Sequence, residues 1–313
     1  MILRPHSFLR LYSSTAGNGL KILRTISEVR AWRRTALESS QDVSLVPTMG
    51  ALHSGHEALV QAAKSLTDKT IVSIFVNPSQ FAPTEDLDQY PRTLDSDLEL
   101  LTRLGADAVF VPSVEDLYPS GIPLDQSRQV GAFVTVQGLS EQLEGQVRPQ
   151  FFRGVATVVT KLLNIVEPER VLFGQKDAQQ CVVVKRLVKD LHINSVVHVV
   201  PTVREASGLA LSSRNAYLTE QVRQDAAVIY AGLNQGLELY RSGETNPELI
   251  INRIKDTIKT KFNDIEYVTV SDLETLQDIK GKIWPIKGAL ISLAVRVPNQ
   301  FGDQTRLIDN ILL

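Results

Sequence analysis

From Leu20 onward, short apolar runs alternate with amphipathic segments, the pattern of strands joined by helical crossovers into a parallel sheet. The strand candidates are 21–23, 43–46, 70–76, 108–111, 170–173 and 196–200. Between them, Ala58, Leu59, Ala62, Ala63 and Leu66 recur at helical intervals, as do Leu94, Leu98, Leu101 and Leu104, and then Val155, Val158, Val159, Leu162, Leu163 and Val166. Each set can lay one stripe on a sheet. A further helix is predicted from Asp177, whose carboxylate can cap backbone amides while Gln180 reaches back in a capping box; it would bury Cys181, Val184, Val188 and Leu191. After Pro201 the texture changes to polar helices around 219–239 and 247–262, followed by β-like runs at 267–270 and 289–297. The pattern predicts an α/β domain over 20–200 and a smaller α+β domain over 201–313, with the joint near 200–203.

Composition narrows the field. With 313 residues, 43% of them hydrophobic, the chain can bury a substantial core. Its 33 Lys plus Arg against 35 Asp plus Glu leave a net charge of -2, so no overall basic field favours nucleic acid or an anionic membrane, and any phosphate must be held locally. The lone Cys181 cannot form an intrachain disulfide, and no apolar run approaches the ~18 residues of a membrane span. Residues 1–19 are a separate stretch: Arg4, Arg10 and the Ser13-Ser14-Thr15 cluster stand in a segment with no acid. It reads either as a mitochondrial transit peptide or as a bland extension, so a cytoplasmic location is expected with the mitochondrial matrix as the alternative.

The densest chemical signal lies at 43–60, where an apolar strand runs into Pro47-Thr48-Met49-Gly50 and then His53-Ser54-Gly55-His56 opens a helix. Strand, glycine turn and helix N-terminus together form the geometry in which free backbone amides face an anion. Two imidazoles three positions apart can donate to phosphate oxygens as charge builds there. Neither a G-x-x-x-x-G-K-[ST] loop nor a G-x-G-x-x-G fingerprint follows a strand. Lys176, next to a strand end and a predicted helix start, adds a second positive feature.

His53-Ser54-Gly55-His56 resembles the signature of the Rossmann-like HxGH nucleotidyltransferases. The longer run from Pro47 to His56 is similar to that of the pantothenate synthetase (pantoate–β-alanine ligase) family. So are Val76-Asn77-Pro78-Ser79-Gln80-Phe81, Tyr90-Pro91-Arg92-Thr93, Leu143-Glu144-Gly145, Phe152-Arg153-Gly154-Val155, Phe173-Gly174-Gln175-Lys176-Asp177 and Leu211-Ser212-Ser213-Arg214-Asn215, in the family's order. Arg306-Leu307-Ile308-Asp309-Asn310 is similar as well.

The resemblance implies ATP-dependent condensation of pantoate with β-alanine through a pantoyl adenylate. It further implies catalytic roles for His53, His56, Lys176 and Arg214, and an ATP site that adds Met49, Gly55, Gly174, Asp177, Val203, Leu211, Ser212 and Ser213. Gln80, Gln180, Tyr90 and Arg148 would bind pantoate, Asp97 would hold Mg²⁺, and the protein would be a homodimer. Several of these residues have a second job open to them. Asp177 and Gln180 are also the predicted cap, Tyr90 could be an ordinary buried tyrosine, and Asp95 a first-turn acid. Two positions depart from the family pattern: Ser96 stands where some members have an acid, and Phe151 where many bacterial members have His. Two rival readings are a nucleotidyltransferase whose acceptor keeps the nucleotide, against which the paired Gln80 and Gln180 argue, and a noncatalytic binding protein, which would have a broken phosphate apparatus.

Overall fold

A computed structural model describes residues 19–82 and 87–313. In chain order the elements are β1 (Lys21–Leu23), α1 (Ile26–Glu38), β2 (Val43–Thr48), α2 (Ser54–Leu66), β3 (Lys69–Ile74), α3 (Leu94–Leu104), β4 (Ala108–Phe110), α4 (Val114–Leu117), α5 (Glu144–Val147), α6 (Phe151–Val166), β5 (Arg170–Gly174), α7 (Ala178–Asp190) and β6 (Val196–Val200). There follow α8 (Glu220–Asp225), α9 (Ala227–Arg241), α10 (Pro247–Ile258), β7 (Ile265–Ser271), β8 (Leu290–Pro298) and β9 (Gln304–Leu312). The first six strands form one parallel sheet in the order β1-β4-β3-β2-β5-β6, and the last three an antiparallel sheet in the order β7-β8-β9. This is the α/β fold with a smaller C-terminal α+β part that the apolar pattern predicts.

From β2 the chain proceeds to β3 and β4 on one side and to β5 and β6 on the other. Ligands in open α/β sheets bind at such a switch point, in the crevice outside the carboxyl ends of the strands. Here the crevice lies beyond Thr48 and Gly174.

Burial explains why the sheet holds. Val43, Leu45, Ile71 and Val171 are fully buried in one core cluster, together with most of α6, which packs apolar residues on nearly every side. Val46, Val72 and Leu172 face the opposite layer, against Leu59, Ala63 and Leu101 of α2 and α3. Strands buried on both faces read as continuous apolar runs, as these do. A separate core gathers Ile229 and Leu233 of α9, Ile250, Ile254 and Ile258 of α10, and the inner face of the antiparallel sheet. Leu276 and Leu290 belong instead to the first core, so the two parts are packed together.

Several details differ from the apolar pattern. The helix α1 carries only a broken apolar stripe, but a capping box between Thr25 and Glu28 starts it. The buried Arg33 then ties it to β5, donating to the Glu167 carbonyl (3.0 Å) and the Glu169 carboxylate (2.5 Å). The capping box between Asp177 and Gln180 is not made. The chain first winds through a 3₁₀ turn, Gln175–Asp177, which leaves Asp177 at φ -100, ψ 60, outside the extended geometry a capping residue needs. Leu191, one residue beyond the end of α7, is half exposed rather than buried. The helical run at 219–239 divides at Ala226, and β9 adds a third strand to the two β-like runs. The acid-free stretch at 1–19 lies outside the described residues apart from Gly19. No described helix is long and apolar enough to cross a membrane.

One close approach sets the shape of the crevice. Gly154 of α6 lies against the turn Pro78–Gln80, so that a Cβ there would meet the Ser79 carbonyl oxygen at 2.2 Å and the Gln80 nitrogen at 2.8 Å. Both are backbone atoms that cannot swing aside. Gly154→Ala is expected to cost about 1–3 kcal/mol of stability through overpacking, read as a lower urea midpoint. An unchanged midpoint would show that the turn yields freely.

Candidate active site

Beyond β2 the chain makes a turn held from below by Asp97. Its two carboxylate oxygens accept from the amides of Ala51 (3.0 Å) and Leu52 (2.9 Å), and Thr93 Oγ1 donates to it as well (3.2 Å). Ala51 has φ 50, a left-handed conformation that costs a non-glycine residue of order 1 kcal/mol and persists only where the surroundings enforce it. The buried carboxylate supplies that enforcement. Asp97 is 3% exposed, and both of its carboxylate oxygens are engaged by this loop. Among the described residues no group of three or more His, Cys, Asp or Glu could hold a metal ion.

The two histidines form the cap of α2. His53 Nδ1 accepts from the Gly55 amide (3.1 Å), and His56 Nδ1 accepts from the His53 amide (3.3 Å). An imidazole nitrogen that accepts carries no proton, so in both neutral rings the proton sits on Nε2. The cap thus leaves each Nε2–H as a donor on residues that line the cleft, with ring centroids 4.2 Å apart. A Cβ on Gly55 would come to 2.9 Å from the His53 ring, so a larger residue at 55 would displace the imidazole from its cap. Burial, more than the nearby Lys176 ammonium, lowers the His53 pKa, and burial followed by His53 itself pushes His56 down to about 3. Both act as neutral hydrogen-bond donors rather than as cations.

Beyond β5, Gly174, Lys176, Asp177 and Gln180 reach the same cleft. Lys176 Nζ lies 3.4 Å from Asp177 Oδ1. Because Asp177 does not cap α7 through Gln180, the Gln180 carboxamide keeps its place on the cleft wall. Cys181 is buried, donates from Sγ to the Gly174 carbonyl (3.3 Å), and has its thiol pushed up to about 12 by burial. A thiol so far from ionisation is no nucleophile.

The turn after β3 fixes the polarity of Gln80. Asn77 Oδ1 accepts from the Ser79 amide (3.3 Å) and from the Tyr118 hydroxyl (2.8 Å), so its Nδ2 must be the atom that donates to the Gly154 carbonyl (3.2 Å) and to Gln80 Oε1 (2.8 Å). With its oxygen taken, Gln80 has Nε2 left for a ligand, and the site expects an acceptor there. Burial raises Tyr118 to about 12 and keeps it a donor. Arg148 donates to the Gln80 carbonyl (3.1 Å) and stacks its guanidinium 4.0 Å over the Phe151 ring. The Phe151 ring is thus a platform for this arginine. Tyr90 is buried edge-to-face against Phe81 and lines the cleft.

The C-terminal part closes the opposite wall with Val203, Leu211, Ser212, Ser213 and Arg214. Leu211 donates its amide to the Val203 carbonyl (3.0 Å), and Ser213 Oγ donates to the Ala51 carbonyl (3.5 Å) across the cleft. Residues that sequence reasoning left unassigned hold the two walls together. Arg306 of β9 ion-pairs with Glu144 of α5 and with Glu266 (2.6 Å), while Tyr267 donates to Glu144 (2.6 Å). Thr202, also on the wall, has a buried hydroxyl with no partner among the described residues. The cleft encloses about 950 Å³.

A family model described as pantoate-beta-alanine ligase matches residues 21–312. The chain belongs to the pantoate–β-alanine ligase family. It is 45% identical over 298 residues to a pantothenate synthetase of Acetivibrio thermocellus, covering 94% of this chain and 99% of that one. It is 44% identical over 312 residues to the pantoate–β-alanine ligase of Saccharomyces cerevisiae, covering 94% and 100%. A solved pantothenate synthetase from Thermus thermophilus superposes with a TM-score of 0.82 at 38% identity, covering 93% of this chain and 98% of that one. The pantoate–β-alanine ligase of Francisella tularensis, solved with β-γ ATP and β-alanine, does so at 0.70 and 36%, covering 93% and 97%. The histidine cap, Lys176 and the Ser212-Ser213-Arg214 turn all fall within the matched region of this ligase family.

The lowered imidazole pKa values have a consequence for stability. Unfolded histidines titrate near 6.5, whereas His56 in the fold does so at about 3. Between those values the unfolded chain binds the extra protons, so stability falls as pH drops below 6.5. Urea midpoints measured from about pH 7 to about pH 5 should decline, and the His56 ring resonances should stay at their neutral shifts throughout. A His56 titrating near its ordinary value would make it a cation instead.

Proposed function

We propose that this cleft activates the carboxylate of pantoate with ATP and passes the pantoyl group to the amine of β-alanine, giving pantothenate, AMP and pyrophosphate. The reading is carried by one arrangement: two Nε2–H donors, the Lys176 ammonium and the Ser212-Ser213-Arg214 turn share a cleft with the carboxamides of Gln80 and Gln180. A carboxylate does not acylate an amine unaided, because its leaving group would be oxide. Attack of a pantoate carboxylate oxygen on the α-phosphorus expels pyrophosphate and makes the adenylate. The free amine of β-alanine then attacks the acyl carbon and AMP leaves.

The chain's part is placement and charge stabilisation. His53 and His56 donate to phosphate oxygens at the mouth of α2, where free helix amides also face the anion. Lys176 and Arg214 oppose the charge that collects on the departing pyrophosphate, and Ser212 and Ser213 add hydroxyl donors. Met49, Gly55, Gly174, Val203 and Leu211 shape the nucleotide's bed, with Asp177 at the ribose. Gln80, through Nε2, and Gln180 grip the hydroxyls and carboxylate of pantoate, with Tyr90 and Arg148 enclosing them. Mg²⁺, bound to the triphosphate, would supply further charge neutralisation there, and Asp177 is the carboxylate on the wall nearest to Lys176. No acyl-enzyme is needed, in keeping with the unreactive Cys181.

We also infer that residues 201–313 act as a lid shielding the adenylate from water. The active protein is proposed to be a homodimer, checked by sedimentation. It is placed in the cytoplasm unless residues 1–19 direct it to the mitochondrial matrix, which fractionation of the tagged full chain decides.

Incubation with ATP, Mg²⁺, pantoate and β-alanine should yield AMP and pantothenate, and omission of either acid should abolish pantothenate. A product that retains the nucleotide would instead favour a nucleotidyltransferase. His56→Ala should weaken adenylation by about 2–4 kcal/mol, the range for one lost transition-state donor. Pyrophosphate release at the normal rate in that variant would remove His56 from the reaction.

A further inference from the structure

Asn310, near the end of β9, is 4% exposed and reaches from the C-terminal sheet into the turn that carries Lys176. Its Nδ2 donates to two successive carbonyls, those of Gln175 (2.8 Å) and Lys176 (2.9 Å). Its Oδ1 accepts from Gln175 Nε2 (2.9 Å). The carbonyls can only accept, so the orientation of the carboxamide is fixed by its partners, with both N–H donors used and the oxygen accepting once. The residue before it anchors the strand. Asp309, also 4% exposed, accepts both arms of the Arg204 guanidinium (2.6 and 2.9 Å) and the Asn310 amide (2.8 Å). Arg204 is in turn stacked 3.7 Å over the Tyr230 ring.

Besides Asn310, the turn is held by the Cys181 thiol at the Gly174 carbonyl and by the pairing of Lys176 with Asp177, but by no side-chain cap. Gly174, at its start, brings no side-chain cap, and Asp177, at its end, brings none either. Lys176 has a long side chain, and its ammonium reaches a fixed point only if its backbone does. A misplacement of about 1 Å can cost a reaction of this kind about a hundredfold.

We propose that Asn310 is a positioning residue that sets the backbone of Lys176, so that the C-terminal part helps place the ammonium in the cleft. This rests on the reading of Lys176 as a group acting on the nucleotide. Asn310 also lines the cleft, but its side-chain hydrogen bonds go to the turn, and it is assigned to act through that turn. Because the same strand carries Arg306, movement of β9 relative to the parallel sheet would move the Lys176 turn with it.

A double-mutant cycle tests the assignment, using single-turnover release of pyrophosphate from γ-labelled ATP with pantoate. Asn310→Asp keeps the shape of the side chain but replaces the amide donor with a second acceptor facing two carbonyls. It should lower the single-turnover rate about 10- to 100-fold while leaving KM for pantoate nearly unchanged. If Asn310 works through Lys176, adding Asn310→Asp to Lys176→Ala should cost almost nothing more, since the placed group is already gone. A purely structural role would give two losses that multiply, and that result, or an unaltered rate in Asn310→Asp alone, overturns the proposal. Should Asn310→Asp fail to fold, Asn310→Ala, which removes the amide without adding charge, goes through the same cycle with the same two outcomes. A wild-type chain releasing no pyrophosphate with pantoate would overturn the functional reading itself, whereas multiplying losses in an active wild type overturn only the role of Asn310.

Discussion

The side-by-side pairing of β2 with β5 governs the rest of the molecule. The two strands share only the register pairs Ser44 with Arg170 and Leu45 with Val171, yet both run in the same direction and end at the same edge of the sheet. From one end issues the turn leading to the histidine cap, from the other the turn carrying Lys176. Groups that lie more than a hundred residues apart in the chain become neighbours because the sheet reverses its strand order between them. Arg33 and Glu169 strengthen this seam: the same Glu169 carboxylate takes the Arg33 guanidinium and the first amide of β2 (2.7 Å).

The electrostatics of the cleft are less cationic than a count of its basic residues suggests. Two of the candidate phosphate ligands are imidazoles that burial keeps neutral, so their contribution is directional. A neutral Nε2–H can follow charge as it develops on an oxygen without holding the anionic product as tightly as a fixed cation would. Net charge is left to Lys176 and Arg214. The division suits a reaction in which pyrophosphate must leave before the amine attacks.

The parallel sheet was largely legible in the chain because its strands are apolar on both faces and its helices carry regular stripes. What the pattern missed depends on distant partners. The helix α1 shows few apolar residues, and Arg33 is buried in it only because Glu169 waits on another element. Asp177 and Gln180 have the spacing of a capping box, but the preceding 3₁₀ turn denies Asp177 the required backbone angles. Asp97 reads from the resemblance as a metal ligand, and nothing nearby in the chain indicates that Ala51 and Leu52 will claim both its oxygens. The candidate site was legible in its side chains, through the order of the motifs, but not in its polarity: the acceptor role of each Nδ1 and the donor role of Gln80 appear only with the backbone amides in place.

The bridges made by β9 join residues very far apart in the chain: Glu144 and Arg306 are separated by 162 positions, Gln175 and Asn310 by 135. Closing such long loops costs entropy before any contact rewards it, and the penalty is met only when both partners are already shaped. The parallel sheet meets a similar cost at its β2–β5 seam, where Val43 and Glu169 are separated by 126 positions, and the cleft takes its final form only with β9 in place as well. Catalytic competence therefore rests on two distant closures, one within the parallel sheet and one made by β9, and losing either would open the cleft.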